Sequence, residues 1–554
     1  MNINNVDDLN KILGHIVAGS LADGFIMRVY QKTDIEVLKT GKFVSVYGAQ
    51  NKFFSLITDL KLEVTNSDIL LFPPSSQETL LKEALKIKDI YATAILRPVL
   101  MLNSNNKVLP VKTIPAHFSP VYQATEEEVK LIFGDEQDVT KKYFNIGNPI
   151  DMNAKVCLNL EKLTERSNGI FGKTGTGKTF ITRLILAGLI NNDKAVNIIF
   201  DMHSEYGLQA RKEVNSSSNS NGSNSFVKGL KTLFGSKVAI FSLDPASTRR
   251  RGGTPDVELT INYDSIAVED IISLNYELNL HPTACEAAYL IAAKYKKNWL
   301  ETFLNQADRL KEFAQEVGAH PESIAALYRK LKNIDRLNFL KPSSDINAKS
   351  GSKIDIIDRM LDYINQNISI IIEFGNYTST FCYLLVANII TRKIHDLYIK
   401  KTELFLGTHK KQDEPKKLLI TIEEAHKFLN IQAARQTIFG TIAREMRKYY
   451  VSLLVVDQRP SGIDPEILSQ IGTKIVAQLN DDKDIQAVTT GLNNSHQIRV
   501  ILSSLESKKQ AVIMGHATPM PLVIETREYD ENFYRSLTDN LVLKKIDDLI
   551  SELF

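Results

Sequence analysis

Apolar residues in the first quarter of the chain recur in short runs. Those at 25–30, 43–47 and 53–57 are rich in β-branched and aromatic residues, and Gly14, Gly24, Gly41 and Gly48 punctuate them. Many short strands with glycine turns predict a small closed β-barrel over residues 10–145, with a helical interlude at 76–86. From about 146 the rhythm changes. A short apolar run ends at 170–171, a glycine-rich stretch follows, and 180–189 read as an amphipathic helix. The run at 196–200 is broken only by Asn197, as in a strand buried on both faces of a parallel sheet. Further strands are expected at 238–241, 368–374, 418–422 and 451–456, with a helix at about 381–400. Residues 265–365 interrupt this alternation with a mainly helical pattern. Within it, Thr283 and Glu286 have the spacing of a capping box, and Pro321 opens another helix. The block reads as a helical insertion on the sheet, with Lys296, Lys297, Arg329, Lys330 and Lys332 on a solvated face. The Ser/Asn-rich stretch 215–225 and the charged stretch 407–417 are expected to be surface loops.

The glycine-rich stretch carries the most specific chemistry. Residues 172–179 close the pattern G-x-x-x-x-G-K-[ST] that begins at Gly172, between a strand and a helix as a phosphate-binding loop requires. Glycines let backbone N–H groups close around phosphate oxygens, and the following helix adds the positive end of its dipole. Gly172, Lys173, Thr174, Gly175, Thr176, Gly177, Lys178, Thr179 and Phe180 are therefore the expected ATP-binding residues. Lys178 bridges the β- and γ-phosphates, and the Thr179 hydroxyl holds Mg²⁺.

Two later strands run out into carboxylates. The run 418–422 ends in Glu423-Glu424-Ala425-His426, which looks like a Walker B element: the first carboxylate serves Mg²⁺ and the second polarises the attacking water. Glu423 stands where Asp is usual. The run 196–200 ends in Asp201, with His203 and Glu205 close behind, at the strand end that faces a ligand crevice in parallel sheets. A solvated turn is the ordinary alternative there, and Asp201 stands as a metal candidate. The strand at 451–456 ends in Asp457-Gln458-Arg459-Pro460, where Gln458 is placed to sense the γ-phosphate or orient water; a strand-end cap is its plainer role. The cluster Arg249-Arg250-Arg251 reads as a solvated loop, with a phosphate contact as the alternative.

Bulk properties narrow the classes. At 554 residues the chain exceeds one core, and two to four structural units are expected. A net charge of +2 argues against a uniformly basic nucleic-acid binder, but not against a basic pore. The three cysteines, Cys157, Cys285 and Cys382, form no C-x-x-C pair and read as buried thiols of a reducing compartment. With neither a signal-peptide pattern nor an apolar run of membrane-spanning length, a cytoplasmic protein is expected.

Taken together, Gly172 to Thr179, Asp201-x-His203-x-Glu205-Tyr206, Glu423-Glu424-Ala425-His426 and Arg447-Lys448 leading to Gln458-Arg459-Pro460-Ser461 resemble the HerA helicase/translocase family, within the HerA–FtsK group of P-loop ATPases. The likeness extends to the run 471–479 with Asp484, and to an N-terminal barrel containing Gly14-His15-Ile16-Val17. The resemblance implies an α/β fold: a RecA-like ATPase core at 146–264 and 366–530, a barrel at 1–145, the helical insertion at 265–365 and a C-terminal helical tail at 531–554. It implies a homo-hexameric ring that moves on double-stranded DNA by ATP hydrolysis, with Arg447 as an arginine finger reaching the neighbouring subunit's ATP and Arg444 and Arg459 as fallbacks. It also implies an effector partner, a NurA-like nuclease in end resection or a sirtuin-like or other effector in antiviral defence. A nucleotide-gated ring scaffold that activates such an effector is the competing reading. A P-loop GTPase fits poorly, because no N-K-x-D guanine-reading motif is present.

Overall fold

The computed structural model describes residues 12–71, 89–105, 107–150, 152–211, 226–342, 355–491, 495–505 and 509–537, with Pro74, Glu78, Ala84 and Leu85 besides. The Ser/Asn-rich stretch 215–225, most of the expected helix 76–86 and the tail from 538 onward lie outside the described residues. The chain divides into two compact units, Met1–Asn159 with Gly491–Arg527, and Leu160–Thr490 with Glu528–Phe554.

The first unit is built on a barrel. Its strands are β1 (Ile12–Ser20), β2 (Gly24–Val29), β3 (Phe43–Tyr47), β4 (Lys52–Val64), β5 (Ile90–Leu102), β6 (Val108–Pro110) and β7 (Pro120–Gln123). Six of them follow the order β2-β1-β7-β3-β4-β5, and pairing of β2 with β5 closes the ring, leaving β6 on the flank of β5. Closure removes the free edges that short strands otherwise expose. Phe25, Val44, Val46, Phe53 and Ile57 fill the interior. Gly14, expected at a turn, lies inside β1: a Cβ there would stand 2.2 Å from the Arg28 carbonyl oxygen, so close strand approach is what demands glycine.

Two further strands, β8 (Tyr143–Pro149) and β9 (Val156–Asn159), pair antiparallel, and β8 also pairs antiparallel with the second strand of a hairpin, Gln510–Gly515 and Leu522–Thr526. By compactness, residues 146–159 and 491–527 fall in the first unit. Backbone ladders formed across some 370 residues of chain carry no local signal; the registers Ile524↔Pro149 and Thr526↔Gly147 show the pairing.

The second unit is an α/β sheet. Its strands are β10 (Asn168–Phe171), β11 (Val196–Asp201), β12 (Val238–Ser242), β13 (Val257–Glu258), β14 (Ser369–Glu373), β15 (Leu418–Glu423), β16 (Val451–Asp457) and β17 (Thr473–Val476). They run parallel in the order β13-β12-β14-β11-β15-β16-β10-β17. β10, β11, β12, β14 and β16 are buried along their whole length, which is why they read as nearly continuous apolar runs. Register brings Phe171 opposite Asp457, Glu423 opposite Val456, and Asp201 opposite Glu373. The polar residues that end these strands thus share one edge of the sheet, where α/β folds bind ligands.

The helical insertion lies between β13 and β14. It includes α1 (Pro282–Tyr295) and α2 (Pro321–Leu331), and its Trp299, 1% exposed, donates its ring N–H to the Ile266 carbonyl at 2.8 Å. The capping box expected at Thr283 is not the start of α1. His281 is the N-cap, its ring accepting the Thr283 N–H, because Pro282 with its preset φ takes the first helical position. His320 and Pro321 open α2 in the same way. After β14, helix α3 (Thr380–Thr408) runs eight residues past its expected end. All three cysteines are free, with Cys157 and Cys382 buried.

Candidate functional site

The loop from Gly172 to Gly177 leaves β10 and feeds the helix Lys178–Asn191. Gly175 and Gly177 hold φ of +78° and +90°, with nothing within 4 Å of where a Cβ would be, so conformation rather than crowding selects glycine. No side chain caps the helix start, which leaves its first N–H groups available to an anion. The Lys178 ammonium folds over the loop and donates to the Lys173 carbonyl at 2.9 Å, while the Thr176 hydroxyl donates to the same oxygen at 2.8 Å. Lys173 N–H bonds the Gln478 carbonyl at 3.0 Å, which ties the loop to the chain beyond β17.

Opposite the loop stand the two glutamates of β15. The Tyr206 hydroxyl donates to Glu423 Oε1 at 2.7 Å, and burial pushes the Glu423 carboxyl up to about 7. Glu424 sits at φ +50°, in the left-handed region that a residue with a Cβ rarely occupies. Its Oε1 accepts from Gln458 Nε2 at 3.0 Å, and Gln458 Oε1 in turn accepts the Thr174 hydroxyl. The phosphate loop, the end of β16 and the second glutamate are therefore joined by one chain of hydrogen bonds. Behind Glu424, His426 is held by Asp457, whose hydrogen bond raises the imidazole above its ordinary value.

Thr174, Gly175, Gly177, Lys178, Thr179, Phe180, Glu423, Glu424 and Gln458 line one cavity of about 330 Å³, joined by Arg183, His203 and Glu205. A cavity of about 430 Å³ in the insertion is larger, but two of its charged walls, Lys332 and Asp335, are paired with each other at 2.7 Å. The chemistry sits at the smaller one.

Asp201 lies behind the site. Its carboxylate is fully buried, and its two oxygens accept the backbone N–H groups of Glu205 (2.8 Å) and Tyr206 (2.9 Å). Burial and the neighbouring Glu373 push it up to about 7. It caps the turn that carries Tyr206 to Glu423 and is not among the residues lining the 330 Å³ cavity, so it shapes the turn beside the site. Arg251, from the basic cluster, pairs with the buried Glu373 at 2.6 Å, and Arg249 pairs with Glu258; both contacts are internal. Arg447 lies in the 3-10 turn Met446–Tyr449, and its side chain is outside the described residues. Arg444 faces Asp464 and Glu466 of its own chain, at 3.9 and 3.6 Å.

Sequence reading missed three contributors. Arg183, 1% exposed, donates to the Glu205 carbonyl at 2.6 Å and lies 5.3 and 5.8 Å from the rings of Phe180 and Tyr206. It lies at the fifth position after Lys178, inside an otherwise apolar helix, and a lone cation there was the available signal. Tyr206 and His426 were visible only as members of motifs, with no partner to assign.

A phosphate loop at a strand–helix junction, facing paired carboxylates on the next strand but one, is the nucleotide site of a P-loop ATPase. A sequence profile described as "Helicase HerA, central domain" matches residues 144–394. That match places a HerA-like central domain at the heart of the chain. It is 26% identical over 439 residues to "DNA double-strand break repair helicase HerA" of Sulfurisphaera tokodaii, covering 75% of this chain and 74% of that one. To the protein of the same description from Sulfolobus acidocaldarius it is 24% identical over 544 residues, 94% and 93% of the two chains. Among solved structures it is similar to VirB4 of Thermoanaerobacter pseudethanolicus, 13% identical over 70% of this chain and 96% of that one, with a TM-score of 0.43. With its phosphate loop facing paired carboxylates, and with these HerA likenesses, the chain is an ATP-hydrolysing enzyme of the helicase/translocase type.

Proposed function

We propose that this chain forms a homo-hexameric motor that hydrolyses ATP to move on double-stranded DNA, working with a NurA-like nuclease or another effector in DNA end processing or antiviral defence. The observation that carries the reading is the hydrogen-bonded chain from Thr174 through Gln458 to Glu424, which ties occupancy of the phosphate loop to the group that activates water. Two HerA relatives over most of the chain, both described as DNA double-strand break repair helicases, support DNA as the track.

The residues divide the work. Loop N–H groups and Lys178 bind the phosphates, with Lys178 exchanging the Lys173 carbonyl for the β- and γ-oxygens. Mg²⁺ fits the donor set: Thr179 and Glu423 offer hard oxygens on one cavity, and among the described residues no three His, Cys, Asp or Glu side chains form a metal cage. That is the arrangement for an ion held mostly by phosphates and water. When bound, it neutralises charge on the phosphates. Glu424 takes a proton from the attacking water, Gln458 orients it, and Arg447 reaches the ATP of the neighbouring subunit.

Purified protein should hydrolyse ATP several-fold faster with duplex DNA present, and Lys178→Ala should show neither basal nor stimulated turnover. Basal hydrolysis that duplex DNA leaves unchanged would overturn the motor and favour a ring scaffold. The role of Arg447 predicts that Arg447→Ala subunits, once exchanged into rings with Glu424→Gln subunits, regain activity that neither variant has alone.

A further inference from the structure

The end of β16 does more than present Gln458. Asp457, 1% exposed, gathers three donors: the backbone N–H of His426 at 2.6 Å, the backbone N–H of Arg459 at 2.7 Å, and the imidazole Nδ1 of His426 at 3.0 and 3.1 Å. Because backbone and ring of His426 are held by one buried carboxylate, the imidazole has a single orientation. Its Nδ1–H goes to Asp457, so Nε2 is turned outward. With the ring protonated, as the Asp457 hydrogen bond favours, it stands 3.8 Å from Glu424 Oε2 at ion-pair distance, while Gln458 Nε2 holds the other oxygen of the same carboxylate.

We infer that His426, fixed by Asp457, is a positioning residue that sets the orientation of the Glu424 carboxylate. The inference rests on the reading of Glu424 as the group that polarises water.

Glu424 needs such a clamp. At φ +50° its backbone is in a strained conformation that persists only where surroundings over-determine it. Two groups on opposite oxygens do so, both anchored at the end of β16: Gln458 by sequence and His426 through Asp457. The arrangement is carboxylate, imidazole, carboxylate, in which a buried acid fixes the tautomer and aim of a histidine that acts on a further group. A histidine that merely filled the core would be buried; the side chain of His426 is 26% exposed, as is that of Glu424. Lys427, the other charge near the ring, is the next residue along, and its ammonium donates to Thr380 at 3.4 Å instead.

The test uses the full chain and reads kcat, ATP affinity and melting temperature. Glu424→Gln should bind ATP and lose turnover. His426→Ala should lose about a hundredfold in kcat, the scale set by a misplacement of about 1 Å at a reacting group, with ATP affinity within twofold of wild type. Added imidazole should restore part of that loss. His426→Gln, whose amide nitrogen reaches toward the position of Nε2, should keep more turnover than His426→Ala. Wild-type turnover by His426→Ala beside an inactive Glu424→Gln overturns this inference alone. A lower melting temperature with kcat and affinity falling together, unrelieved by imidazole, assigns His426 to structure only and also overturns it. Normal turnover by Glu424→Gln removes the reading of Glu424 and this inference with it.

Discussion

Two neighbouring strands, β11 and β15, both run out into carboxylates, and the two ends do opposite things. At the end of β11 the oxygens of Asp201 are taken by backbone N–H groups of its own turn, four and five residues on. At the end of β15 the oxygens of Glu423 and Glu424 are held by side chains from elsewhere, Tyr206 and Gln458, and both residues line the cavity beside the phosphate loop. A carboxylate at the C-terminal end of a parallel strand is thus not a ligand by position alone. Where its lone pairs go decides. An acid whose acceptors are filled by local backbone is a cap, and one steered by distant side chains is poised for something that arrives.

The largest effects that test this contrast are on turnover. Glu424→Gln keeps shape and removes the charge that polarises water, so hydrolysis should fall by about 10²–10⁴ with ATP still bound. Lys178→Ala should abolish hydrolysis through the same site without loss of fold, since its ammonium folds over the phosphate loop to the Lys173 carbonyl. Asp201→Asn should reduce turnover far less than Glu424→Gln. Comparable losses in steady-state hydrolysis from the two strand ends would erase the distinction.

What the sequence made legible here follows from the range of the signal. The phosphate loop and the Glu423-Glu424 pair lie within a few residues of the strands that present them, and pattern and spacing sufficed. Strand cores such as Val196–Asp201 and Val451–Asp457 were readable because burial on both faces leaves a continuous apolar run. The partners were not readable. Tyr206 meets Glu423 across 217 residues, Arg251 meets Glu373 across 122, and His426 meets Asp457 across 31. The capping bonds of Asp201 were hidden for the same reason: its spacing suits a ligand or a cap, and only the direction of two backbone N–H groups shows the cap. The side chain of Arg447 is outside the described residues, so its role rests on the resemblance.

The end of β14 offers an intermediate case. Glu373, 1% exposed, is bonded by the Thr248 hydroxyl at 2.8 Å and by Arg251 at 2.6 Å. Removing the cation strands a buried charge, and breaking such pairs costs about 3–5 kcal/mol when both partners are buried. The Arg251 side chain is 34% exposed, so Arg251→Met should cost at or below the lower end of that range. The double variant Arg251→Met with Glu373→Gln should recover most of the loss in chemical denaturation. If Arg251→Met instead left stability unchanged and impaired ATP binding, the basic cluster would be a phosphate contact after all, and the end of β14 would join the site.

The smallest effect is the most specific to the cap. Burial raises the Asp201 carboxyl from its ordinary range to about 7. In the unfolded chain it ionises near 4, so between about pH 4 and 7 the native state binds the extra proton. A group raised on folding contributes stability that is full below the unfolded value and lost as pH rises through the folded one. The wild-type protein should therefore lose stability from this group as pH climbs toward 7, and level off above it. In Asp201→Asn that slope should be shallower, because the titrating group is gone. The absolute stability of the variant should be lower, since an amide offers one carbonyl oxygen where two N–H groups need acceptors, and the unmatched donor costs about 1–3 kcal/mol. Urea unfolding at pH 5.5, 6.5 and 7.5 in nucleotide-free buffer separates the two effects, one as a difference in slope and the other as a constant offset. An offset with an unchanged slope would mean that Asp201 is ionised in the native protein throughout this range. Its oxygens would then carry charge toward the sheet edge, and the contrast between the ends of β11 and β15 would be one of degree.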